Sequence, residues 1–467
     1  MTVSELKCCL KPGCRAHLVG IGGVSMAPLA EVLHGLGVVV TGSDMKESRT
    51  VEHLRSLGIP VAIGHFAEGA KGADLVIRTA AVHDDNPEIA GAREAGIPVY
   101  ERAQAWGALM SDYKHALCIS GTHGKTTTTS MCTHIVMAAQ MDPTVMIGGT
   151  LPLLHAGHRV GKGDTIILES CEYCNSFLSF RPTTAVILDI EADHLDFFKD
   201  LADVENSFRR FADLVPAEDG VVVANADDRN TMDTLDGINR HMFTFGMGDY
   251  ADVYCENLEY VNGNGHFDLM QEGKKLARIE LSVPGRHNVE NALAAAAATL
   301  TIGVSPEAIA AGLHAYRGAE RRFQCKGEYN GAMIYDDYAH HPGELHVLLD
   351  TAKTLGYERV ICAFQPHTYT RTKALFSDFV QELKRPDITL LAEIYAAREK
   401  NTVGISSRDI AECIPGAIYC PTLADVTARL KELARPGDLI LTVGAGDIYQ
   451  VGEALAGMTE ETQALPS

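Results

Sequence analysis

The sequence predicts an α/β protein of three consecutive domains, and three observations carry that prediction. The chain has 467 residues, enough for about three domains of roughly 150 residues each. Short apolar runs alternate with helix-like stretches near both ends, the rhythm of parallel strands joined by helical crossovers. Between those regions stands a glycine-rich stretch, Ser120-Gly121-Thr122-His123-Gly124-Lys125-Thr126-Thr127, flanked by a strand-like and a helix-like run.

The first block, residues 1–108, reads strand, loop, helix in repeated order. His17–Val19 runs into Gly20-Ile21-Gly22-Gly23, and a helical stretch follows to about His34. Val38–Val40 leads to Asp44, and Thr50–Leu57 is helical. Asp74–Ile77 is a third strand, Asn86-Pro87-Glu88 after Ala80-Ala81-Val82 opens a third helix, and Ile97–Tyr100 is a fourth strand. This is the pattern of a Rossmann-like parallel sheet. Trp106, the single tryptophan, marks the approach to a boundary.

The central block, 109–316, has strands at His115–Ser120, Asp164–Leu168, Thr184–Leu188 and Gly220–Ala224, a P-loop ATPase-type α/β arrangement. From His241 to Val283 short strands alternate with the turns Asn262-Gly263 and Glu272-Gly273, which predicts a small antiparallel meander. An alanine-rich helix runs from Asn288 to about Leu300. The last block, 317–467, repeats the first rhythm, with strands at Ala332–Tyr335, Val360–Phe364, Ile388–Leu391 and Asp438–Val443, a second Rossmann-like domain.

Composition narrows the function. A formal charge of −21 repels nucleic acid and anionic membranes, so any phosphorylated ligand must be held in local pockets lined by cations or N–H groups. Twelve scattered cysteines fit free thiols in a reducing cytoplasm. Cys171 and Cys174 form one C-x-x-C, but no second pair stands at structural-zinc spacing. The start of the chain has no secretory h-region, and the longest apolar stretch, Ala292–Leu300, is too short to span a bilayer.

The chemistry concentrates at predicted strand ends. The loop Gly121, Thr122, His123, Gly124, Lys125, Thr126, Thr127 supplies inward-facing N–H groups, a point charge and a hydroxyl for magnesium at a helix start, which suits the phosphates of a nucleotide. Leu168-Glu169-Ser170-Cys171-Glu172 and Ile190-Glu191-Ala192-Asp193-His194-Leu195-Asp196 each bring carboxylates to a strand end, where a metal beside Thr126 is within reach. His287 and Asn291, in Gly285-Arg286-His287-Asn288-Val289-Glu290-Asn291, are polar groups at a helix start suited to a base edge, and Asn288 is a candidate cap. Gly20, Gly22, Gly23 and Asp44 fit a nucleotide pyrophosphate and ribose. By itself that fingerprint also permits NAD, although Ser25 stands at the third glycine position.

Taken together, Gly121-Thr122-His123-Gly124-Lys125-Thr126, Glu172, Asp193-His194 and Gly285-x-His287-Asn288-x-x-Asn291 resemble the Mur ligases. The resemblance continues through Arg321-Arg322-Phe323-Gln324, Asp336-Asp337-Tyr338-Ala339-His340-His341-Pro342, Phe364-Gln365-Pro366-His367, Tyr369-Thr370-Arg371 and Thr442-x-Gly444-Ala445-Gly446. It implies an ATP-dependent ligase of bacterial cell-wall precursor synthesis in the cytoplasm. UDP-N-acetylmuramate and L-alanine are the implied substrates, with magnesium, two ions in all, as cofactor. It further implies that the first domain holds the UDP portion through Gly20, Gly22, Gly23, Asp44 and Asn86. ATP is assigned to the phosphate loop with His287, Asn291, Arg322 and Asp336. Magnesium is assigned to Thr126, Glu172 and His194. Catalytic roles go to Lys125, Glu172, His194, His340 and Arg371.

Siblings that add later residues resemble one another in a lysine about twenty residues past the Asp-His pair. Here that stretch is Phe208-Arg209-Arg210-Phe211-Ala212-Asp213-Leu214. Two positions depart from the family pattern. Thr368 stands where arginine is frequent, which rests substrate anchoring on Arg371, and Cys171 stands where aspartate is frequent. The implied assembly is a monomer or homodimer, with domain closure required for turnover. The competing expectations are a sibling that attaches a whole tripeptide to the same sugar nucleotide, an NAD-dependent oxidoreductase, and a nucleotide switch. The last has no evident use for the Asp336–Pro342 segment.

Overall fold

The computed structural model describes residues 3–457 except 80, 196 and 398, so Ala80 and Asp196 of the sequence motifs lie outside the described residues. The chain folds into two compact units. One comprises 1–257, 267–279 and 290–315; the other comprises 258–266, 280–289 and 316–467. The described residues form three sheets, in the α/β class expected.

The first sheet has β1 (Arg15–Val19), β2 (Val39–Asp44), β3 (Val61–Ile63), β4 (Leu75–Arg78) and β5 (Val99–Glu101). All are parallel, in the order β3-β2-β1-β4-β5. The three-residue β3 has too little periodicity to register in the sequence. Trp106 is buried in the helix Arg102–Met110. In that helix Gly107 lies so close to Ser179 that a Cβ would sit 1.9 Å from the Ser179 carbonyl oxygen.

The second sheet contains β6 (His115–Ser120), β7 (Thr144–Leu151), β8 (Ala156–Arg159), β9 (Thr165–Glu169), β10 (Thr184–Ile187), β11 (Val221–Asn225), β12 (His241–Phe245), β13 (Val253–Val261), β14 (Asn264–Gln271) and β15 (Lys274–Pro284). Their order is β15-β14-β13-β12-β11-β10-β6-β9-β7-β8. The meander begins later than the sequence suggested. β12 pairs parallel with β11, because the helix Arg229–Leu235, capped by Asp228, supplies a crossover between them. Only the segments from β13 onward turn back tightly. Asn262-Gly263 and Glu272-Gly273 all have positive φ (51°, 81°, 49° and 72°), the two-residue turn whose twist matches a hairpin. β7 and β8 were not anticipated either. They form an antiparallel edge with irregular register between Met146 and Leu151.

The helix Lys125–Ala138 follows β6 and is rich in hydroxyls, a composition that disfavours helix unless the hydroxyls find local acceptors. They do. Thr129 donates to Lys125 O (2.8 Å), Ser130 to Thr126 O (2.7 Å) and Thr133 to Thr129 O (2.8 Å), all fully buried.

The third sheet, in the second unit, has β16 (Gln324–Tyr329), β17 (Ala332–Asp337), β18 (Arg359–Phe364), β19 (Ile388–Ala392), β20 (Ile418–Cys420) and β21 (Asp438–Val443). The order is β16-β17-β21-β18-β19-β20, parallel except for the β16–β17 hairpin. Leu345, Leu349, Phe364 and Phe379 pack on one face and Ile334, Ile361, Leu430 and Ile440 on the other. Among the described residues no helix is long and apolar enough to cross a membrane.

Candidate functional site

Register explains why distant motifs converge in the first unit. Ser120 at the end of β6 pairs with Ile187 of β10, and Ile119 pairs with Glu169 of β9. The segments leaving these three strands therefore emerge side by side at the carboxyl edge of the sheet, where open α/β sheets hold their ligands.

The first segment is the phosphate loop. Gly121 has φ 147° and Gly124 has φ 78°, conformations that suit glycine. Space also demands it: a Cβ on Gly121 would sit 2.8 Å from Asp189 Oδ1, and one on Gly124 2.5 Å from Asn291 Oδ1. Lys125 folds its ammonium back onto Gly121 O, Thr122 O (3.1 Å) and Glu172 Oε2 (3.2 Å). Burial works against this charge, but Glu172, Glu169 and Asp189 outweigh it and raise the Lys125 pKa. Thr126 donates its hydroxyl to Glu169 Oε1 (3.1 Å), whose other oxygen accepts Gly148 N–H (2.6 Å).

The second segment holds Glu172, whose side chain is 3% exposed. Just past it Cys174 and Asn175 take positive φ (55° and 54°), a reversal fixed by Asn175 N–H to Glu172 O (2.8 Å) and Ser207 Oγ to Asn175 Oδ1 (2.5 Å). Phe177 stacks on Phe211 (4.4 Å) and packs edge-on against Phe208, so the helix Leu201–Ala212 anchors this turn. Burial and the Glu172 carboxylate push the Cys171 thiol up to about 12.

The third segment brings His194 to the same place. Its Nε2 lies 3.6 Å from Glu172 Oε1 and 3.7 Å from Asp193 Oδ2, and its ring packs on Tyr173 at 4.7 Å. Cys171, Glu172 and His194 each offer a donor atom within 4.8 Å of the others. Asp189, not singled out in the sequence, accepts His123 N–H (2.8 Å) and takes Thr122 N–H on its carbonyl (3.1 Å). Burial pushes its carboxyl up to about 6 despite the opposing charges of His123 and Lys125. His123 Nε2 meets Glu191 Oε2 (3.2 Å), and Thr122 Oγ1 accepts Glu191 N–H (2.8 Å). Asn291 approaches the loop from the alanine-rich helix and accepts from Thr128 Oγ1 (3.1 Å).

The first sheet presents a second glycine loop at its carboxyl edge. Gly20 has φ 79°, and Gly22 N–H donates to Asp44 Oδ2 (2.9 Å), so Asp44 braces the loop. Asn86 caps the helix Pro87–Glu94 by accepting Glu88 N–H (3.0 Å). Below it the buried Glu88 meets Ser43 Oγ (2.5 Å) and His65 Nδ1 (3.2 Å).

In the second unit Arg321, at φ 60°, donates to Asp336 Oδ2 (3.1 Å), Gly446 O (3.0 Å) and Gly444 O, and its guanidinium lies over the rings of Tyr338 and Tyr449. Asp336 is fully buried and also accepts from Thr442 Oγ1 (2.7 Å), so its oxygens are engaged by Arg321 and Thr442. Arg322 lies over Tyr338 and 3.9 Å from Glu344. His340 holds Tyr338 O through Nδ1 (3.1 Å) and faces the ring of His367 at 5.9 Å, which in turn stacks on Tyr395. Burial, with Arg371 opposing a second charge nearby, lowers His340. Burial first, then His340 and Arg371, brings His367 down to about 4. Thr368 takes φ 66° and ψ 144°, costly for a β-branched residue, and its N–H donates to Tyr395 O (2.9 Å). Burial alone takes His287 down to about 4. The helix there starts at Arg286, so Asn288 is not its cap; its side-chain amide donates back to Pro284 O (2.6 Å).

A glycine loop headed by Lys125 on one sheet, a second glycine loop on another and a cation-rich edge on a third define a class. The chain belongs to the Mur ligase family. The models described as Mur ligase family, catalytic domain, Mur ligase middle domain, and Mur ligase, glutamate ligase domain match residues 15–114, 119–299 and 321–446. The chain is 46% identical over 445 residues to the UDP-N-acetylmuramate–L-alanine ligase of Agathobacter rectalis, covering 94% of this chain and 97% of that protein. It is 44% identical to the ligase of the same name from Caldanaerobacter subterraneus, covering 94% and 96%. Its fold matches the crystal structure of UDP-N-acetylmuramate-alanine ligase from Thermotoga maritima with a TM-score of 0.79, at 29% identity and over 96% and 99% of the two chains.

Proposed function

We propose that this chain joins the amine of L-alanine to the lactyl carboxylate of UDP-N-acetylmuramate with hydrolysis of ATP, the first peptide step of peptidoglycan precursor synthesis in the cytoplasm. One observation carries the reading: Lys125, at the head of a glycine loop, faces the buried Glu172 and its neighbour His194. That is a cation poised for phosphate beside donors for a metal. The division into 1–108, 109–316 and 317–467 follows the same reading, with the UDP moiety assigned to the first segment, ATP to the second and the amino acid to the third.

The carboxylate oxygen of the sugar attacks the γ-phosphorus of ATP. The bond from that phosphorus to the β-bridging oxygen breaks, giving an acyl phosphate and ADP. The neutral amine of alanine then attacks the acyl carbon. The carbon–oxygen bond to phosphate breaks, and the amine proton passes to solvent. Both steps gather anions, so charge neutralisation and alignment are the protein's task. Lys125 and the loop from Gly121 to Thr127 hold the phosphates, with the N–H groups of Thr122 and His123 given over to Asp189, while His287, Asn291, Arg322 and Asp336 serve the nucleotide, Asp336 by fixing Arg321. Gly20, Gly22, Gly23, Asp44 and Asn86 hold the UDP portion. His340 and Arg371 orient the amino acid and the acyl phosphate.

The oxygen donors fit magnesium, because Thr126, Glu169 and Glu172 offer a hydroxyl and carboxylates at one sheet edge. Thr126 and Glu172 would hold one ion and His194 a second, supplying positive charge to the transferring phosphoryl group.

The test is phosphate release with each substrate omitted in turn. Release should require ATP, UDP-N-acetylmuramate and L-alanine together. Release with glycine or serine but not alanine would overturn the amino-acid assignment, and preference for a tripeptide would favour the recycling sibling. Absorbance change with a nicotinamide cofactor would support the oxidoreductase alternative that the Gly20–Gly23 loop permits.

A further inference from the structure

We infer that Cys171, Glu172 and His194 form a three-donor site for a borderline-soft divalent ion, of which zinc is the type. The inference rests on the donor set itself and goes beyond the ligase reading.

The donor atoms of the three residues lie within 4.8 Å of one another. His194 Nε2 and Glu172 Oε1 are 3.6 Å apart, close to the roughly 3.4 Å edge of a tetrahedron built on zinc–nitrogen and zinc–oxygen bonds of about 2.1 Å. One sulfur, one nitrogen and one oxygen plus an open fourth position is the composition of zinc sites that keep a place for an outside ligand. Magnesium asks for oxygen donors in octahedral array and gains little from a thiolate. A carboxylate at position 171 would make the cluster harder, so the cysteine is the group that shifts its preference.

The geometry is held from behind. The reversal at Cys174 and Asn175 is pinned by Ser207, and the ring of His194 rests on Tyr173. These contacts hold the turn just past Cys171 and Glu172 and orient the ring of His194. Two cations bear on the cluster: Lys125 lies 3.2 Å from Glu172 Oε2, and Arg102 interacts with Cys171. They temper affinity, and the incoming ion shares Glu172 with Lys125. On binding, the Cys171 sulfur–hydrogen bond breaks, its proton leaves to water, and the sulfur bonds the metal.

The experiment uses the full chain, free of nucleotide and substrate, titrated with Co2+ as a spectroscopic stand-in for zinc. A thiolate-to-cobalt charge-transfer band in the near ultraviolet should grow to saturation at one ion per chain, and added Zn2+ should bleach it. Cys171→Ser should lose the band while Cys174→Ser keeps it, with circular dichroism reporting that both are folded. Cys171→Asp should bind Zn2+ at least about tenfold more weakly in equilibrium dialysis. A band that survives in Cys171→Ser, or no band in the unmodified chain, overturns the proposal. These readouts need no turnover, so their failure is distinct from failure of the ligase assay.

Discussion

The ammonium of Lys125 sits 3.2 Å from Glu172 Oε2 while also holding the carbonyl oxygens of Gly121 and Thr122. The lysine thus occupies the centre of its own loop, and under the proposed function a nucleotide phosphate draws it away. Lys125→Ala should reduce ATP-dependent ligation by at least about 10²–10³-fold, the scale of losing one charge-stabilising donor at a reacting oxyanion. Its circular dichroism spectrum should stay that of the folded protein. Near-normal phosphate release from that variant would remove the loop from the mechanism.

Gly124→Ala should abolish tight nucleotide binding. The added Cβ meets Asn291 Oδ1 at 2.5 Å in a backbone of φ 78°. Left-handed backbone costs a non-glycine residue roughly 1–2 kcal/mol, and displacing Asn291 adds to that. Calorimetric titration with ATP should show a loss much larger than the fall in melting temperature. Unchanged affinity would contradict the packing.

Arg321→Met should destabilise the chain by about 3–5 kcal/mol, because it strands the buried Asp336 carboxylate. The double variant Arg321→Met/Asp336→Asn should recover part of that loss, since the uncompensated charge is gone. Urea denaturation of both single variants and the double gives the coupling. Simple additivity would show that the two side chains do not depend on each other.

His287 makes stability depend on pH in a definite sense. Its folded pKa is about 4, below the ordinary value, because burial penalises the imidazolium. The neutral ring therefore stabilises the fold fully above about pH 6.5, and that contribution is lost as pH falls toward 4. One site of this kind accounts for about 3 kcal/mol over that window. His287→Phe should flatten the acid limb of a stability–pH curve measured by denaturant unfolding. An unchanged slope would show that His287 titrates normally in the folded chain.

Much of the architecture was legible because long apolar runs such as Asp438–Val443 sit between glycine or proline punctuation, and because the glycine loops carry their own geometry. Strands were missed where the pattern is short or polar. Val61–Ile63 and Ile418–Cys420 have three residues each, and Ala156–Arg159 is only half-buried. β12 was assigned the wrong partner direction because direction is set by the connection, and the short helix Arg229–Leu235 was not recognised. At the site, motif and strand-end position singled out Lys125, Glu172 and His194, which the fold brings together. Asp189 was overlooked because a single aspartate after a strand is common, and only its two N–H partners mark it out. Glu169 was quoted but passed over in favour of Glu172. What distinguishes their jobs is which cation or hydroxyl each faces, a property of three dimensions.

The hydroxyl ladder of Lys125–Ala138 satisfies the middle of that helix from within. Thr129, Ser130 and Thr133 each spend their proton one turn back, so these three buried hydroxyls ask nothing polar of their surroundings, whereas Thr126 and Thr128 reach outward to Glu169 and Asn291. Its neighbours can come very near: a Cβ on Gly312 would lie 2.4 Å from Ile135 Cα. A rod whose central hydroxyls are satisfied this way can lie against the backbone at Gly312 without leaving a buried donor unpaired, and that close packing fixes the helix that carries the glycine loop at its head.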